Sequence, residues 1–537
     1  MFIDVKKLKD RLIFTFAALF AVFSLATIIY YIFYPSAAFL HADCTDTILW
    51  AKASYDGRVM FNEDFGYAAM LPFGGTAIMI PLIGAFGLSM KAHTVGMAIF
   101  TVLFFLSVLW LCRSLKFSGA LSLMSVGSLA LVLCSSEKLR EIFYEHVIYY
   151  SIGVLIICVL LSLFIKFKDV FSSENSLGKL VAVTLFTVVF SVCAALDGTQ
   201  IIATGIFPVL FAAVAEIMLN KDKKLFEKDN RISVYFCIVC GFSMLVGLWL
   251  LSVLSNGITA GYAGAYTNYS NMEEWVANLL KFPEQWFKLF GVDAHYGMSI
   301  FSPESIINMI RIGTSAVIAI APLVALFFYN KYDFGTKLLV LAHFGMSAVI
   351  MFGYVFGILA AANWRLSPMV CTGLLVCFAM FRAAKGYIVP RRIMAAILCV
   401  FVVMSGVNFA AVAKMEKNGI VNNEKYRLVE VLRDNGFTHG YATFWNSQVI
   451  TLLSDSEVST ANVDINENGI APCYYQTDKN QFELQDGVER YFVLMSDYEM
   501  SILQQTDDWA YFELLSTERI EIDGYKIFVF NSLHFLN

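Results

Sequence analysis

Charge is what this chain has least of. Asp, Glu, Lys and Arg make up 15% of its 537 residues, against 58% apolar and 15% aromatic. That balance excludes a string of soluble domains and points to a chain that crosses a bilayer many times. Metal and disulfide frameworks are missing too. No Cys-x-x-Cys pairs with a distal His, the 11 cysteines show no regular spacing, and most lie inside apolar runs, where a thiol behaves as a small hydrophobe. No cleavage pattern follows the first apolar run, which reads as a retained span rather than a removed leader. There is no evident inverted repeat of the kind found in transporters. Nor does the C-terminal part hold a phosphate loop, a nucleotide-binding glycine pattern or catalytic-triad spacing.

The charge that is present is unevenly spread. Residues 414–537 hold 9 Lys+Arg against 20 Asp+Glu, a balance of −11, whereas the rest of the chain comes to +6. A membrane body followed by an acidic soluble tail is the division this implies. Lys6, Lys7, Lys9 and Arg11 precede an apolar run over 12–34, so the N-terminus is expected in the cytoplasm. Residues 71–88 are apolar but interrupted by Pro72, Pro81 and several glycines, and read as an interfacial or re-entrant helix that does not cross. Spans near 92–112, 118–134, 147–165, 180–196, 199–219, 232–254, 306–329, 338–361, 366–381 and 393–412 then return Arg113 and Lys116, Lys166 and Lys168, the Lys221 to Arg231 cluster, Lys331 and Lys337, and Arg382 to Arg392 to the inside.

The expected fold is a polytopic α-helical membrane protein. Residues 1–413 carry about 11 helices and a large first outside loop over 35–91, and residues 414–537 form a soluble, extracytoplasmic α/β domain. In the tail, helical spacing over 424–434 ends at Asn435-Gly436, and strands are expected at 440–445, 458–463, 491–495, 509–516 and 525–530, with a helix over 448–453.

The chemistry is concentrated in residues 41–64, just past the first span. Asp43, Asp46, Asp56, Glu63 and Asp64 fall where hydrocarbon gives way to water, a costly place for carboxylates. If 43–54 is one helix, Asp43 and Asp46 share a face, with Trp50 one turn further on as an aromatic anchor at the membrane surface. Three other segments open to the same side. Residues 135–146 offer Glu137, Arg140 and His146; residues 255–300 are rich in glycine, with Tyr262, Tyr266, Tyr269, Trp275, Trp286 and Tyr296; the third is Asn363-Trp364-Arg365.

These residues carry a resemblance. An early Asp in the first outside loop, a Gly fourteen residues on at Gly57, Pro-rich apolar sequence ending in Phe86-Gly87-Leu88-Ser89, and a second span closed by Arg113 resemble the glycosyltransferase C superfamily. The pattern covers roughly residues 12–220, with the remainder similar in topology alone. The resemblance implies a membrane enzyme that moves a sugar from a polyprenyl-phosphate carrier to a cell-envelope acceptor, a glycan or a lipid, at the outer face of the cell membrane. It puts Asp43 in the place of the acidic first-loop residue. The acidic pair common in relatives is not adjacent here, and Asp46 stands as the second carboxylate.

Glycosyl transfer needs a base, a cation beside the departing phosphate and an apolar groove for the prenyl chain. Asp43 is the expected base. Arg365, whose planar fork suits an oxyanion, is the expected phosphate ligand, with Arg140 in reserve. A divalent metal ion is the one cofactor left open, and no nucleic-acid partner is expected. Blander readings stand beside these: Asp43 as a solvated loop residue, Asp46 as a helix-face carboxylate, 135–146 as a solvated loop, Arg365 reaching to lipid phosphate. Two other function classes also stand. A transporter or flippase of a lipid-linked or small polar substrate would use ionisable residues inside spans, of which Asp197, Glu216 and His343 are the main ones. A non-enzymatic envelope scaffold would bind its partner through the acidic tail.

Overall fold

The structure is a computed structural model and describes residues 5–171, 177–219, 228–261, 267–385 and 387–536. Residues 221–227 of the expected basic cluster, and Tyr262, Gly264 and Tyr266, lie outside the described residues. Among those described, ten helices are long and apolar enough to cross a bilayer, from Lys6–Phe33 to Ile388–Ala413. The protein is therefore a multi-pass membrane protein with a small C-terminal sheet. Residues expected to span at 118–134 form the shorter helix Gly119–Val132, 14 residues long, or about 21 Å at the usual rise. Residues 71–88 become a π-helical turn, Pro72–Thr76, and a 10-residue helix, Ala77–Phe86. Together they fall short of the roughly 30 Å of bilayer hydrocarbon.

The chain divides into two compact units. The first is helical and comprises Met1–Tyr31, Phe100–Ser252 and Tyr266–Met415. Its innermost helix is Tyr149–Phe171, 89% of whose apolar window is buried, while Asn230–Leu254 buries 17% and presents most of its apolar surface outward. A helix that is apolar all round belongs either in a core or in lipid, and these two are the extremes. Close packing in this unit relies on small residues. A Cβ on Gly345 would come within 2.7 Å of the Phe211 ring, and one on Gly373 within 2.9 Å of Ile318.

The second unit joins Ile32–Ile99, Val253–Ala265 and Glu416–Asn537. The first outside loop, expected within the membrane body, instead clusters with the tail. The tail's sheet has six strands: β1 His439–Ala442, β2 Ser459–Asn466, β3 Gly469–Pro472, β4 Tyr491–Ser496, β5 Glu518–Ile522 and β6 Tyr525–Phe530. Their order is β3-β2-β1-β4-β6-β5, with β1 parallel to β2 and β4 and the outer strands antiparallel. β1 stops at Ala442, not at Trp445 as expected, because the Thr443 carbonyl accepts from Asn446 and Ser447 and starts helix Phe444–Leu453. Residues 509–516, expected as a strand, are helical over Trp509–Leu515. Trp509 and Phe512, three apart, lie on one side of that turn and pack on Phe528, with ring centroids 5.9 and 5.2 Å away. A short apolar run satisfies helix and strand alike until its packing partner decides.

A backbone seam joins loop and tail. Gly66 N–H donates to Thr477 O (3.0 Å), Gln476 N–H to Gly66 O (2.7 Å) and Lys479 N–H to Asp64 O (2.8 Å). A Cβ on Gly66 would stand 1.7 Å from the Tyr474 carbonyl oxygen. Gly66→Ala is thus expected to destabilise this unit by about 1–3 kcal/mol through overpacking, read as faster proteolysis after residue 416 of the purified protein. Proteolysis at the wild-type rate would show that the seam contributes nothing.

Candidate functional site

The expected base sits on a turn held from both sides. Pro35 starts the 3-10 turn Pro35–Phe39, where helix Val5–Phe33 ends. A second 3-10 turn, Ala42–Thr45, follows, and helix Asp46–Gly57 begins after it. The single helix expected over 43–54 is therefore broken, with Asp43 on the turn and Asp46 in the first turn of the helix. Cys44 N–H donates to His41 O (3.0 Å) and the Thr45 hydroxyl to Ala42 O (2.6 Å). His93 Nε2 lies 3.1 Å from the Cys44 carbonyl, and Asn423 Nδ2 donates to Ala37 O and Leu40 O, both at 2.9 Å.

Ala42, Cys44, Thr45 and Thr47 are buried while Asp43 and Asp46 are half-buried, with one carboxylate oxygen of Asp46 turned into the interior. The Asp43 carboxylate makes no hydrogen bond or ion pair among the described residues. It is free to accept a proton from outside the protein. Asp46, at a helix N-terminus, also has the electrostatic role that any carboxylate has there.

Trp50 is not the membrane anchor expected of it. It is 2% exposed, and its indole N–H donates to Gln476 Oε1 at 2.6 Å. An indole buried with its one donor satisfied is a core residue.

Past Trp50 the same helix borders an open groove of about 770 Å³, walled by Tyr55, Val59, Met60, Pro72 and Ile80. At its edge, Arg58 ends the helix with φ +51°. Arg58 is exposed and makes no hydrogen bond or ion pair among the described residues, whereas the neighbouring Lys52 is paired with Asp56. Arg58 was not singled out from the sequence. The available signal was that Lys52 and Arg58 are the two cations in an otherwise acidic 41–64.

The other expected site residues belong to the helical unit. The reading of 135–146 as a solvated loop fails for most of it: Arg140, Glu141, Glu145 and His146 are 7%, 6%, 2% and 4% exposed. Glu137 remains exposed. A short helix, Glu137–Arg140, runs into a π-helical turn, Glu141–Glu145, and the segment is tied down throughout. Tyr31 donates its O–H to Glu145, Arg140 lies 5.4 Å from the Tyr31 ring centre, and Arg140 donates to Cys134 O at 3.3 Å. Burial works against the Arg140 charge, but Tyr31 and Glu145 more than offset it and leave its pKa above the ordinary value. Glu145 was passed over in the sequence because nothing in a charged octet says which carboxylate will be interior.

Arg365 donates to the Gly353 carbonyl at 2.7 Å, a second donor to an oxygen that also accepts from Gly357 N–H near the end of helix Phe334–Phe356. In the described part of 255–300, Trp286 is 3% exposed and bonded to Ser315 O, while Tyr269, Tyr296 and Leu280 are strongly exposed. Such a mix suits a loop resting in lipid headgroups. His343 is a core histidine, with Nδ1 at 2.8 Å from Thr372 Oγ1 and Nε2 at 3.5 Å from Ser347 Oγ.

Among the described residues no three His, Cys, Asp or Glu side chains converge. Asp43 and Asp46 alone fall short of a resident metal site.

No family model matches the chain, and no curated protein does so. Among solved structures it is similar to ArnT from Cupriavidus metallidurans in the apo state, at 11% identity and TM-score 0.49, covering 97% of this chain and 99% of that one. The undecaprenyl phosphate-bound structure of the same protein gives TM-score 0.48 at 11% identity over the same shares. The Archaeoglobus fulgidus oligosaccharyltransferase in complex with Zn and sulfate gives TM-score 0.49 at 11% identity, over 98% of this chain and 74% of that one. Identities and scores this low carry nothing about chemistry, which has to come from the residues themselves.

The buried carboxylate of Glu145 gives the helical unit a direct test. Tyr31→Phe removes one of its donors and is expected to cost about 1–3 kcal/mol, seen as a lower melting temperature of the protein in detergent. An unchanged melting temperature would mean that the phenol is dispensable there.

Proposed function

We propose that the protein is a membrane glycosyltransferase that takes a sugar from a polyprenyl-phosphate donor and passes it to an envelope acceptor. The observation that carries this reading is the Asp43 carboxylate: half-exposed, unpartnered among the described residues, and fixed on a turn whose flanks are hydrogen-bonded. The first-loop resemblance supports it, as does the groove beside Arg58.

In the reaction, Asp43 accepts the proton of the acceptor's nucleophilic O–H. The new bond forms from that oxygen to the anomeric carbon as the bond from the same carbon to the phosphate oxygen breaks. The electron pair leaves with polyprenyl phosphate, so no further acid is needed. Arg58, an exposed guanidinium with its five donors uncommitted, stands at the far end of helix Asp46–Gly57, about 18 Å along its axis from Asp43, and suits an anion entering the groove rather than the phosphate at the reacting carbon. Val59, Met60 and Ile80 offer apolar surface to a lipid chain in that groove. Asp46, in the first turn of the helix that follows, is the second carboxylate beside it.

Lys6, Lys7, Lys9 and Arg11 ahead of the first span support a cytoplasmic N-terminus, which puts the first loop, and Asp43 with it, on the outer side. A transporter reading draws no support from His343, whose two ring nitrogens are both occupied.

Asp43→Asn keeps the shape of the side chain and removes the base. Incorporation of labelled sugar from polyprenyl-phosphate sugars into envelope material by the reconstituted protein is expected to fall roughly 10²–10⁴-fold, with the melting temperature unchanged. Transfer at the wild-type rate would remove Asp43 as the base and leave the transferase reading without its carrier.

A further inference from the structure

Away from the Arg58 groove, the second unit holds another cavity, of about 310 Å³, with walls from helix Asp46–Gly57 and from the sheet domain. Its size is at the lower end for small-ligand pockets, which run from about 300 to 1,000 Å³. Its wall contains Leu49 and Phe65 on the apolar side, and His439, Gln448, Gln476 and Asp478 on the polar side.

Gln476 is the unusual member. It is a non-glycine residue at φ +58°, 0% exposed, with its backbone N–H given to Gly66 O and its carbonyl taken by Gln448 Nε2 at 2.9 Å. Backbone held in a sparsely populated region by its surroundings is a mark of functional sites. The amide orientation is settled by chemistry, since an indole can only donate and Trp50 therefore faces Oε1. That leaves Nε2 as the other end of the amide, buried and with no hydrogen-bond partner among the described residues. A buried amide N–H₂ without an acceptor is costly, and a ligand oxygen would relieve that cost.

The charges say which ligand. Lys52 is paired with Asp56, and Glu457 with Arg433 at 2.7 Å. The acid left over is Asp478, whose one oxygen accepts from Asn480 N–H at 2.9 Å. Burial pushes the His439 imidazole towards its neutral form. The wall thus offers no uncommitted cation and a small surplus of negative charge. Phosphate and carboxylate ligands are disfavoured, while hydroxyls and amines find both acceptors and donors next to an apolar face. A ring of carbon carrying equatorial hydroxyls fits that description, with its flat apolar side on Phe65 and Leu49.

We propose that this cavity binds a neutral or amine-bearing sugar unit, with the Gln476 amide donating to one of its oxygens. Assigning that sugar to the acceptor rests on the transferase reading above; the binding itself does not.

The test uses the full-length protein in detergent, titrated with methyl glycosides of glucose, glucosamine and glucuronic acid and followed by saturation-transfer NMR. The glucoside and glucosaminide are expected to bind, and the glucuronide at least tenfold more weakly. Gln476→Glu retains an acceptor for the Trp50 indole but loses the donor, and should weaken glucoside binding at least tenfold. Glu457→Gln, at the exposed rim, leaves the fold intact and should narrow the preference for glucosaminide over glucuronide. Glycosides that fail to bind the folded wild type, or that bind with equal strength to both variants, would overturn the proposal. Asp43→Asn separates the two readings: sugar binding there, with transfer absent or present, tests the cavity alone.

Discussion

The second unit depends on one constraint: two main-chain stretches about 410 residues apart in sequence, 64–66 and 476–479, have to exchange hydrogen bonds at contact distance. Closing so long a loop costs little more than closing a short one, because the entropic penalty grows with the logarithm of length. What it does demand is a surface without side chains at the point of approach, and Gly66 supplies it, with the Tyr474 carbonyl occupying the space where a Cβ would be. A bond of this kind contributes only about 1 kcal/mol net. Its larger effect is geometric, since it fixes which residues of the first loop face the sheet and which face away.

With the seam in place, helix Asp46–Gly57 can bury one side completely. Thr47, Ile48, Leu49, Trp50 and Ala51 are all interior, and Trp50 finds in Gln476 the acceptor that a buried indole requires. Asp43 precedes this buried run and stays half-exposed. A carboxylate at the margin of such a surface keeps its charge only while solvent or a ligand reaches it. The seam, the indole bond and the turn at Ala42–Thr45 therefore act together: they hold the backbone of Asp43 while leaving its side chain uncommitted. Rigid support with a free functional group is what a general base needs.

The helices were largely legible in the sequence because bilayer hydrocarbon imposes length and composition, and both can be counted. Helices such as Pro303–Phe327 and Ile388–Ala413 fall within a few residues of the expected 306–329 and 393–412. Strand β4, Tyr491–Ser496, was legible for a similar reason, since a strand buried on both faces reads as an unbroken apolar run. Trp509–Leu515 was not legible, because seven residues of mixed apolar and polar character take their conformation from Phe528 and Phe530, which lie on another element. The grouping of the first loop with the tail was hidden as well. Backbone-to-backbone bonds leave no side-chain signature, and a single glycine at Gly66 looks like any turn residue.

The cations were the least legible part, and the reason is general. Position along a span ranks Arg365 and Arg140 above Arg58, because the first two stand at the mouths of helices where a phosphate is wanted. Structure ranks them by whether their donors are already committed. Arg140 is interior and shares its charge with Tyr31 and Glu145; Arg365 gives an N–H to a helix-end carbonyl; Arg58 gives nothing to any described residue. Moving Arg140 onto a ligand would strip a donor from the Cys134 carbonyl and take a cation away from the buried Glu145, and moving Arg365 would remove one donor from the Gly353 carbonyl. Arg58 forfeits only water. In a chain this poor in charge, the guanidinium that costs least to redirect is the one best placed to meet an incoming anion, and the sequence cannot reveal which one that is until the partners of the others are known.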